Sequence, residues 1–308
     1  DQPRSRGLGD VYKRQPPTEE EIEYLRPMTY LISALQINLR DKDYFLKLAC
    51  KKVNAIAFEF IMDEYKQLSL VRLIGEIAGS VSILYASELL AMSNGLMLGG
   101  ITGVRPTEVV ILGAGIVGEF ATKAAIGLGA SVKVFDNSLS KLRRLHTLVE
   151  SRVPTSVIDP KELTKSLRRA DVVIGALPRL NLPPIVTEDM VMKMKKGSVI
   201  IDITIDNGKV IETSELTTTE KPFIVKHDVI HCGLPNLTSR MPRTTTKAVS
   251  NFFLSYLLGY DEEGGFENML IHKNEIKQSL YMYKGRHTKQ LICNKFDLPY
   301  HDINLLIF

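Results

Sequence analysis

Cysteine is scarce in this chain of 308 residues: Cys50, Cys232 and Cys293 lie far apart and in no metal-ligand spacing. An odd, dispersed set excludes a disulfide framework, implies no metal centre and fits a reducing cytoplasm. Charge of one sign is also thin. Of a formal net charge of +4, residues 1–15 supply half, with Arg4, Arg6, Lys13 and Arg14 against Asp1 and Asp10. The remainder is close to neutral with no basic stripe, which argues against a nucleic-acid partner. No apolar run reads as long enough to span a bilayer, and there is no signal-peptide core, so no membrane role is expected. Internal repeats and low-complexity tracts are missing too. What remains, 44% hydrophobic and 24% charged, is the composition of an ordinary globular protein at a length that suits two domains.

Residues 1–15 (DQPRSRGLGDVYKRQ) have no initiator Met and no periodicity, and read as a non-native scar. Protein-like text begins near Pro16-Pro17-Thr18.

The richest stretch runs from Glu108 to Gly118. Val109-Val110-Ile111-Leu112 is a buried strand, Gly113-Ala114-Gly115-Ile116-Val117-Gly118 a glycine loop, and Glu119 to Leu128 a helix. Ser131 to Phe135 is a second apolar strand that ends at Asp136. A lone G-x-G-x-x-G is weak evidence, but strand, glycine loop, helix, strand and acid in that order form the dinucleotide-binding fingerprint. Gly113 permits the tight turn, Gly115 leaves room for a pyrophosphate, and Gly118 lets the helix pack on the strand. The helix N-terminus offers N–H groups to phosphates. Asp136 would accept hydrogen bonds from ribose hydroxyls and repel a 2′-phosphate, which favours NAD over NADP. A plain glycine turn beside a surface aspartate would leave the surrounding order unexplained.

More strands follow: Thr155–Ile158, Asp171–Ala176, Gly197–Ile205 and Pro222–Ile230, separated by helical stretches at Pro160–Arg169 and Thr187–Lys195. Alternation of this kind implies an α/β fold with a doubly wound parallel sheet, a Rossmann domain whose ligand lies at the carboxyl ends of the strands. Gly113–Gly118, Asp136, Gly175–Leu177 and Ile203–Asp206 all fall on such ends. Helices are expected at Glu76–Met92 and Thr244–Tyr260. The second crosses back, so a discontinuous substrate domain takes both ends of the chain: 16–100 and 239–308 flank a nucleotide domain at 101–238. The apolar stripes of these helices read as core.

On these residues the chain resembles the alanine dehydrogenase and transhydrogenase alpha-subunit family, the dehydrogenase branch more closely. The matching pieces are Ile56–Glu59, Gly75–Gly79, Leu98–Gly100 with Gly103-Val104, Val110–Gly118, Ala170–Ala176, Ile201–Asp206, Glu212–Ser214 with Thr217-Thr218, and Pro242–Thr244. The arginine-rich loop of transhydrogenase alpha subunits is not evident around Leu70–Ala78. The resemblance implies interconversion of L-alanine with pyruvate and ammonium using NAD, and a homo-oligomer, commonly a hexamer. It also implies site residues. Asp206 matches the catalytic aspartate, the alternative being a turn acid before Asn207-Gly208. Gly113, Gly115, Ile116, Val117 and Gly118 would meet the phosphates, and Lys141 would reach the adenosine side unless it is a solvated helix charge. Ala176, Leu177 and Ile203 to Asp206 would flank the nicotinamide, with Leu234, Asn236 and Leu237 closing over it.

The sequence also departs from the family. Gln36, in Leu35-Gln36-Ile37, stands where the family has its catalytic histidine. A glutamine amide hydrogen-bonds but exchanges no proton near neutral pH. None of His146, His227, His231, His272, His287 or His301 lies at that motif; His231, near the cofactor segment, reads as satisfying a strand-end hydrogen bond. Gly75 replaces a serine, Ser80 an arginine and Ile158 a further serine, and the loop after Ala176 is about two residues short. The family's segment before the point matching Pro16 holds an arginine and a lysine for the substrate carboxylate, so the substrate domain is expected to be incomplete. Lys13 falls near that lysine only by coincidence. Besides an alanine dehydrogenase, two alternatives therefore stay open: an NAD-binding relative without turnover, acting as a sensor or scaffold, and a dehydrogenase for another amine or imine.

Overall fold

A computed structural model of the chain describes residues 16–63, 65–149, 153–262 and 266–307. The expected scar and Lys13 lie outside these. Two compact units emerge, one from Ile74–Thr245 and one from the stretch up to Leu73 together with that from Thr246. The expected domain limits at 100/101 and 238/239 differ from these division points, each of which falls inside a continuous helix.

In chain order the elements are α1 (Glu19–Tyr24), β1 (Tyr30–Ser33), α2 (Lys42–Cys50), β2 (Asn54–Ala57), α3 (Ser69–Asn94), β3 (Glu108–Leu112), α4 (Ile116–Gly127), β4 (Ser131–Phe135), α5 (Leu139–Leu148), β5 (Thr155–Ser156) and α6 (Pro160–Leu167). Then come β6 (Val172–Gly175), α7 (Glu188–Val191), β7 (Val199–Asp202), β8 (Ile224–Lys226), β9 (Val229–Cys232), α8 (Pro242–Glu262), α9 (Phe266–His272), α10 (Asn274–Ser279), β10 (Leu280–Tyr283), β11 (Arg286–His287) and α11 (Gln290–Phe296).

The larger unit is built on a seven-stranded sheet in the order β5-β4-β3-β6-β7-β9-β8. Every pairing is parallel except β8 with β9. The order reverses between β3 and β6, the switch point of a doubly wound sheet. Continuous apolar strands are required because both faces are covered. Val109 and Ile111 point into one core with Val172, Ile174, Val199 and Ile201, and Val110 and Leu112 point into the other with Val173 and Ile200. Full burial of each such side chain stabilises by about 1.5–3 kcal/mol.

The run Pro222–Ile230, expected as one strand, is instead a hairpin. His227 and Asp228 take φ of 52° and 59°, and Lys226 pairs with Val229 across them. Two consecutive residues with positive φ make the tight turn that matches strand twist. Three other spans are also shorter or shifted. The strand expected to Ile205 ends at Asp202, the helix expected over Thr187–Lys195 is regular only over Glu188–Val191, and α4 begins at Ile116, three residues before Glu119.

Helix α3 is, among the described residues, the one segment long and apolar enough to cross a bilayer, and 56% of its apolar window is buried in the protein. The sequence pattern predicts this helix only over Glu76–Met92, shorter than the observed Ser69–Asn94. Its Gly79 crosses α4 so closely that a Cβ would sit 2.3 Å from the Val117 carbonyl oxygen. That crossing is a packing feature of a core helix.

The smaller unit has a four-stranded sheet, β1-β2-β10-β11, with β1 and β2 parallel and β10 antiparallel to β2. Phe45, Leu48, Val53, Ala55 and Tyr281 form its core. Both α1 and α2 open on side-chain caps, Thr18 with Glu21 in a capping box and Asp41 on the Tyr44 amide.

Candidate functional site

Strands β4, β3, β6, β7 and β9 are neighbours and run parallel, so their carboxyl ends share one rim of the sheet. Asp136 follows β4, the glycine loop follows β3, Ala176 and Leu177 follow β6, Ile203 to Asp206 follow β7, and Leu234, Asn236 and Leu237 follow β9. The fold thus gathers these predicted positions onto one rim. Lys141 lies in the first turn of α5 with an exposed side chain. Gln36 belongs to the smaller unit, where it follows β1.

The glycines divide by what they would meet. A Cβ on Gly118 would lie 1.8 Å from the Gly113 carbonyl oxygen, and one on Gly113, at φ 118°, would lie 2.5 Å from the Ala176 oxygen. Those two are required by the protein itself. Gly115 is different: its φ is −73°, and among the described residues a Cβ there would meet no atom within 4 Å. Gly115 also begins α4 without a side-chain cap, so the first amides of the helix stay available. Open space above uncapped amides fits a dinucleotide's pyrophosphate.

Asp136 is almost fully buried. Its Oδ2 accepts the Ala114 N–H at 2.8 Å and its Oδ1 accepts the Ser138 N–H at 2.8 Å. The carboxylate therefore ties the glycine loop to the end of β4, and each oxygen keeps a second lone pair for a ribose hydroxyl. Nearby, buried Glu119 pairs with Lys123 at 2.8 Å and Arg144 at 3.3 Å, and Arg144 donates to the Ala114 carbonyl at 3.4 Å. The loop is held from both sides.

On the other half of the rim, Asp206 sits in a single 3-10 turn, Ile205–Asn207, three residues beyond the strand. Burial pushes its carboxyl above the ordinary range, against hydrogen bonds from the Asp206 and Asn207 backbone and the Asn207 side chain. Asn236 adopts φ 102°, and its Oδ1 accepts the Thr238 hydroxyl at 2.9 Å, which leaves the amide NH2 as the group it offers. His231 is wholly buried, with Nε2 2.8 Å from the Thr213 hydroxyl and Nδ1 3.0 Å from the Val229 carbonyl oxygen. Burial pushes its pKa down to about 4. It is a structural histidine, as its place at a strand end suggested.

Two acids escaped the sequence reading. Asp202 ends β7 with no exposure, and burial pushes its carboxyl up to about 6. The signal was an acid inside an apolar strand, Ile200-Ile201-Asp202. Glu59, just past β2, accepts the Leu35 N–H at 2.9 Å and the Gln36 N–H at 2.8 Å. Gln36 there holds a left-handed conformation, φ 50° and ψ 53°, and Lys295 grips the next residues at the Ile37 carbonyl, 3.1 Å, and the Asn38 side chain, 3.0 Å.

Comparison with known proteins places this geometry. The family model described as alanine dehydrogenase/PNT, C-terminal domain, matches residues 82–290. Alanine dehydrogenase 2 of Staphylococcus aureus (strain USA300) is 34% identical over 299 residues, covering 95% of this chain and 80% of that protein. An alanine dehydrogenase of Staphylococcus haemolyticus matches at the same identity and coverage. Among solved structures, an L-alanine dehydrogenase superposes with a TM-score of 0.84 at 30% identity over 91% of this chain and 78% of the other. A transhydrogenase from Sinorhizobium meliloti shares the fold, with a TM-score of 0.73 at 18% identity over 89% of this chain and 77% of the other.

Proposed function

The chain belongs to the alanine dehydrogenase/PNT family, and on that premise we propose that it is an NAD-dependent amino-acid dehydrogenase interconverting L-alanine with pyruvate and ammonium. The observation that carries the cofactor part is Gly115, a helix-starting residue whose missing side chain faces space that no protein atom fills. When bound, NAD accepts hydride from the substrate Cα; everything else falls to the chain's own groups. The amides of Ile116, Val117 and Gly118 would hold the pyrophosphate, Asp136 the adenosine ribose, and Lys141 the outer adenosine side. Leu177 and Ile203 would flank the nicotinamide, with Leu234, Asn236 and Leu237 across from them.

Asp206 takes the proton-handling role in this reading. Its partial burial raises the carboxyl above its ordinary range, and an anion there stabilises positive charge developing on the amine. Gln36, at the family's histidine position, offers an amide that hydrogen-bonds without exchanging a proton. Assembly as a homo-oligomer, hexameric by resemblance, and a cytoplasmic setting that keeps Cys50, Cys232 and Cys293 as thiols belong to the same proposal.

One observation favours a second reading. An amide at the family's histidine position suits an NAD-binding relative that senses the cofactor without turnover. NADH formation from L-alanine at alkaline pH, with NADH binding measured in parallel, separates the two. Turnover that collapses in Asp206→Asn supports the enzyme; tight binding with no turnover supports the sensor, and failure to bind either nucleotide overturns both.

A further inference from the structure

Asp202 is a buried acid that no step above uses. It ends β7 opposite Gly175 of β6, and a Cβ on that glycine would come within 3.3 Å of the Asp202 Oδ1 and 3.1 Å of the Ile211 side chain. The neighbouring strand makes room for this carboxylate. One oxygen, Oδ2, accepts the Val210 N–H at 3.1 Å, and Oδ1 lies 3.4 Å from the Thr204 hydroxyl. Thr204 and Val210 lie at the two ends of the loop that carries Asp206. The same loop is stitched to the segment after β6. Ile203 N–H donates to the Gly175 carbonyl at 2.9 Å, the Thr204 hydroxyl to the Leu177 carbonyl at 3.0 Å, and Arg179 N–H to the Asn207 carbonyl at 2.9 Å. Gly208, at φ 100°, lies so close to the Arg179 backbone that a Cβ would fall within 2.3 Å of it.

We propose that Asp202 is a positioning residue for Asp206: its carboxylate clamps both ends of the Ile203–Lys209 loop, at Thr204 and Val210, and so fixes where the Asp206 carboxylate stands. This rests on the reading of Asp206 as the proton-handling group. The loop between the clamped ends is short and carries one 3-10 turn, so releasing either end moves Asp206 as a unit. Asparagine at 202 keeps the shape but has one accepting oxygen, so in either orientation of the amide a backbone N–H that faces the carboxylate, at Val210 or at Thr204, loses its acceptor. Valine at 204 keeps the bulk and removes the hydroxyl that donates to the Leu177 carbonyl and lies against Asp202.

The test compares the full chain with Asp202→Asn, Thr204→Val and Thr204→Ser by amide hydrogen exchange across Thr204–Val210, by NADH binding and by steady-state kinetics with L-alanine. Exchange in that segment is expected to speed up by roughly tenfold or more in Asp202→Asn and Thr204→Val. Turnover is expected to fall about ten- to a hundredfold, because misplacing a reacting group by about 1 Å costs that much. KM and the Kd for NADH should stay within about threefold, since only a transition-state interaction is lost, and Thr204→Ser, which keeps the hydroxyl, should restore the slow exchange that Thr204→Val loses. Unchanged exchange in both disrupting variants, or faster exchange with unchanged kcat, overturns the assignment. If the parent chain binds NADH but turns nothing over, the dehydrogenase reading fails by itself, and the exchange data still decide whether Asp202 clamps the loop.

Discussion

At the scale of single residues, one candidate position holds its backbone in a conformation that costs something. Gln36 sits in the left-handed region, where a non-glycine residue pays about 1–2 kcal/mol. The Glu59 carboxylate holds it there through the Leu35 and Gln36 amides. Glu59→Gln is expected to lower stability by about 1.5–3 kcal/mol, the range for a hydrogen bond to a charged group. It should raise KM for L-alanine while leaving NADH affinity alone; thermal unfolding and steady-state kinetics check the two halves. Asp206→Asn should cut kcat by about a hundredfold to ten-thousandfold with NADH affinity nearly unchanged, the usual range for removal of a general acid/base. The place of Asp206 beyond a strand end was legible in the sequence, whereas its role and that of Gln36 were expectations from the family resemblance. Glu59 was legible only as part of a matching motif, because nothing in Ile56-Ala57-Phe58-Glu59 shows that its carboxylate reaches back to the Leu35 and Gln36 amides.

At the scale of elements, the β3–α4 turn makes a claim that its glycines can test separately. Gly118→Ala puts a methyl 1.8 Å from a backbone oxygen, so it should destabilise the fold by roughly 1–3 kcal/mol or more. Gly115→Ala meets no protein atom and has an ordinary φ, so it should leave the melting temperature unchanged within a degree or two while weakening NADH binding about tenfold or more. Equal effects of the two on stability would contradict the division drawn between them. The strand–loop–helix order of this turn was readable because each piece has its own local chemistry. The hairpin at His227-Asp228 was not. Neither residue is a glycine, and an apolar run from Pro222 to Ile230 gives no sign that the chain doubles back on the sheet edge. The end of β7 was not legible for a related reason: Ile203-Thr204-Ile205 has strand composition, but Thr204 turns its hydroxyl to the Leu177 carbonyl and the chain enters a 3-10 turn at Ile205.

At the scale of the whole molecule, two buried groups set opposing pH dependences. Asp202, raised by burial from 3.8 to about 6, leaves the folded state holding an extra proton across that window; its stabilising share is present below about pH 4 and lost as pH rises through 6. His231, lowered from 6.5 to about 4, acts the other way: its share is present above pH 6.5 and lost as pH falls toward 4. Each shift is worth about 3 kcal/mol, so the pair nearly cancels between pH 4 and 6. Unfolding free energies of His231→Gln should therefore rise on acidification across that window relative to the parent chain, and those of Asp202→Asn should fall; parallel curves for all three would refute the assignment. No reading of the sequence shows this pairing, because it depends on which strand ends become buried together. The two-sided apolar strands, by contrast, specified the doubly wound sheet and the rim on which the candidate residues lie. The most direct test of that rim as a dinucleotide site is calorimetric titration of NADH into the parent chain and into Gly115→Val. The account predicts saturable binding to the parent, lost or weakened at least about tenfold in a variant that stays folded; no binding to the parent, or equal binding to both, would contradict it.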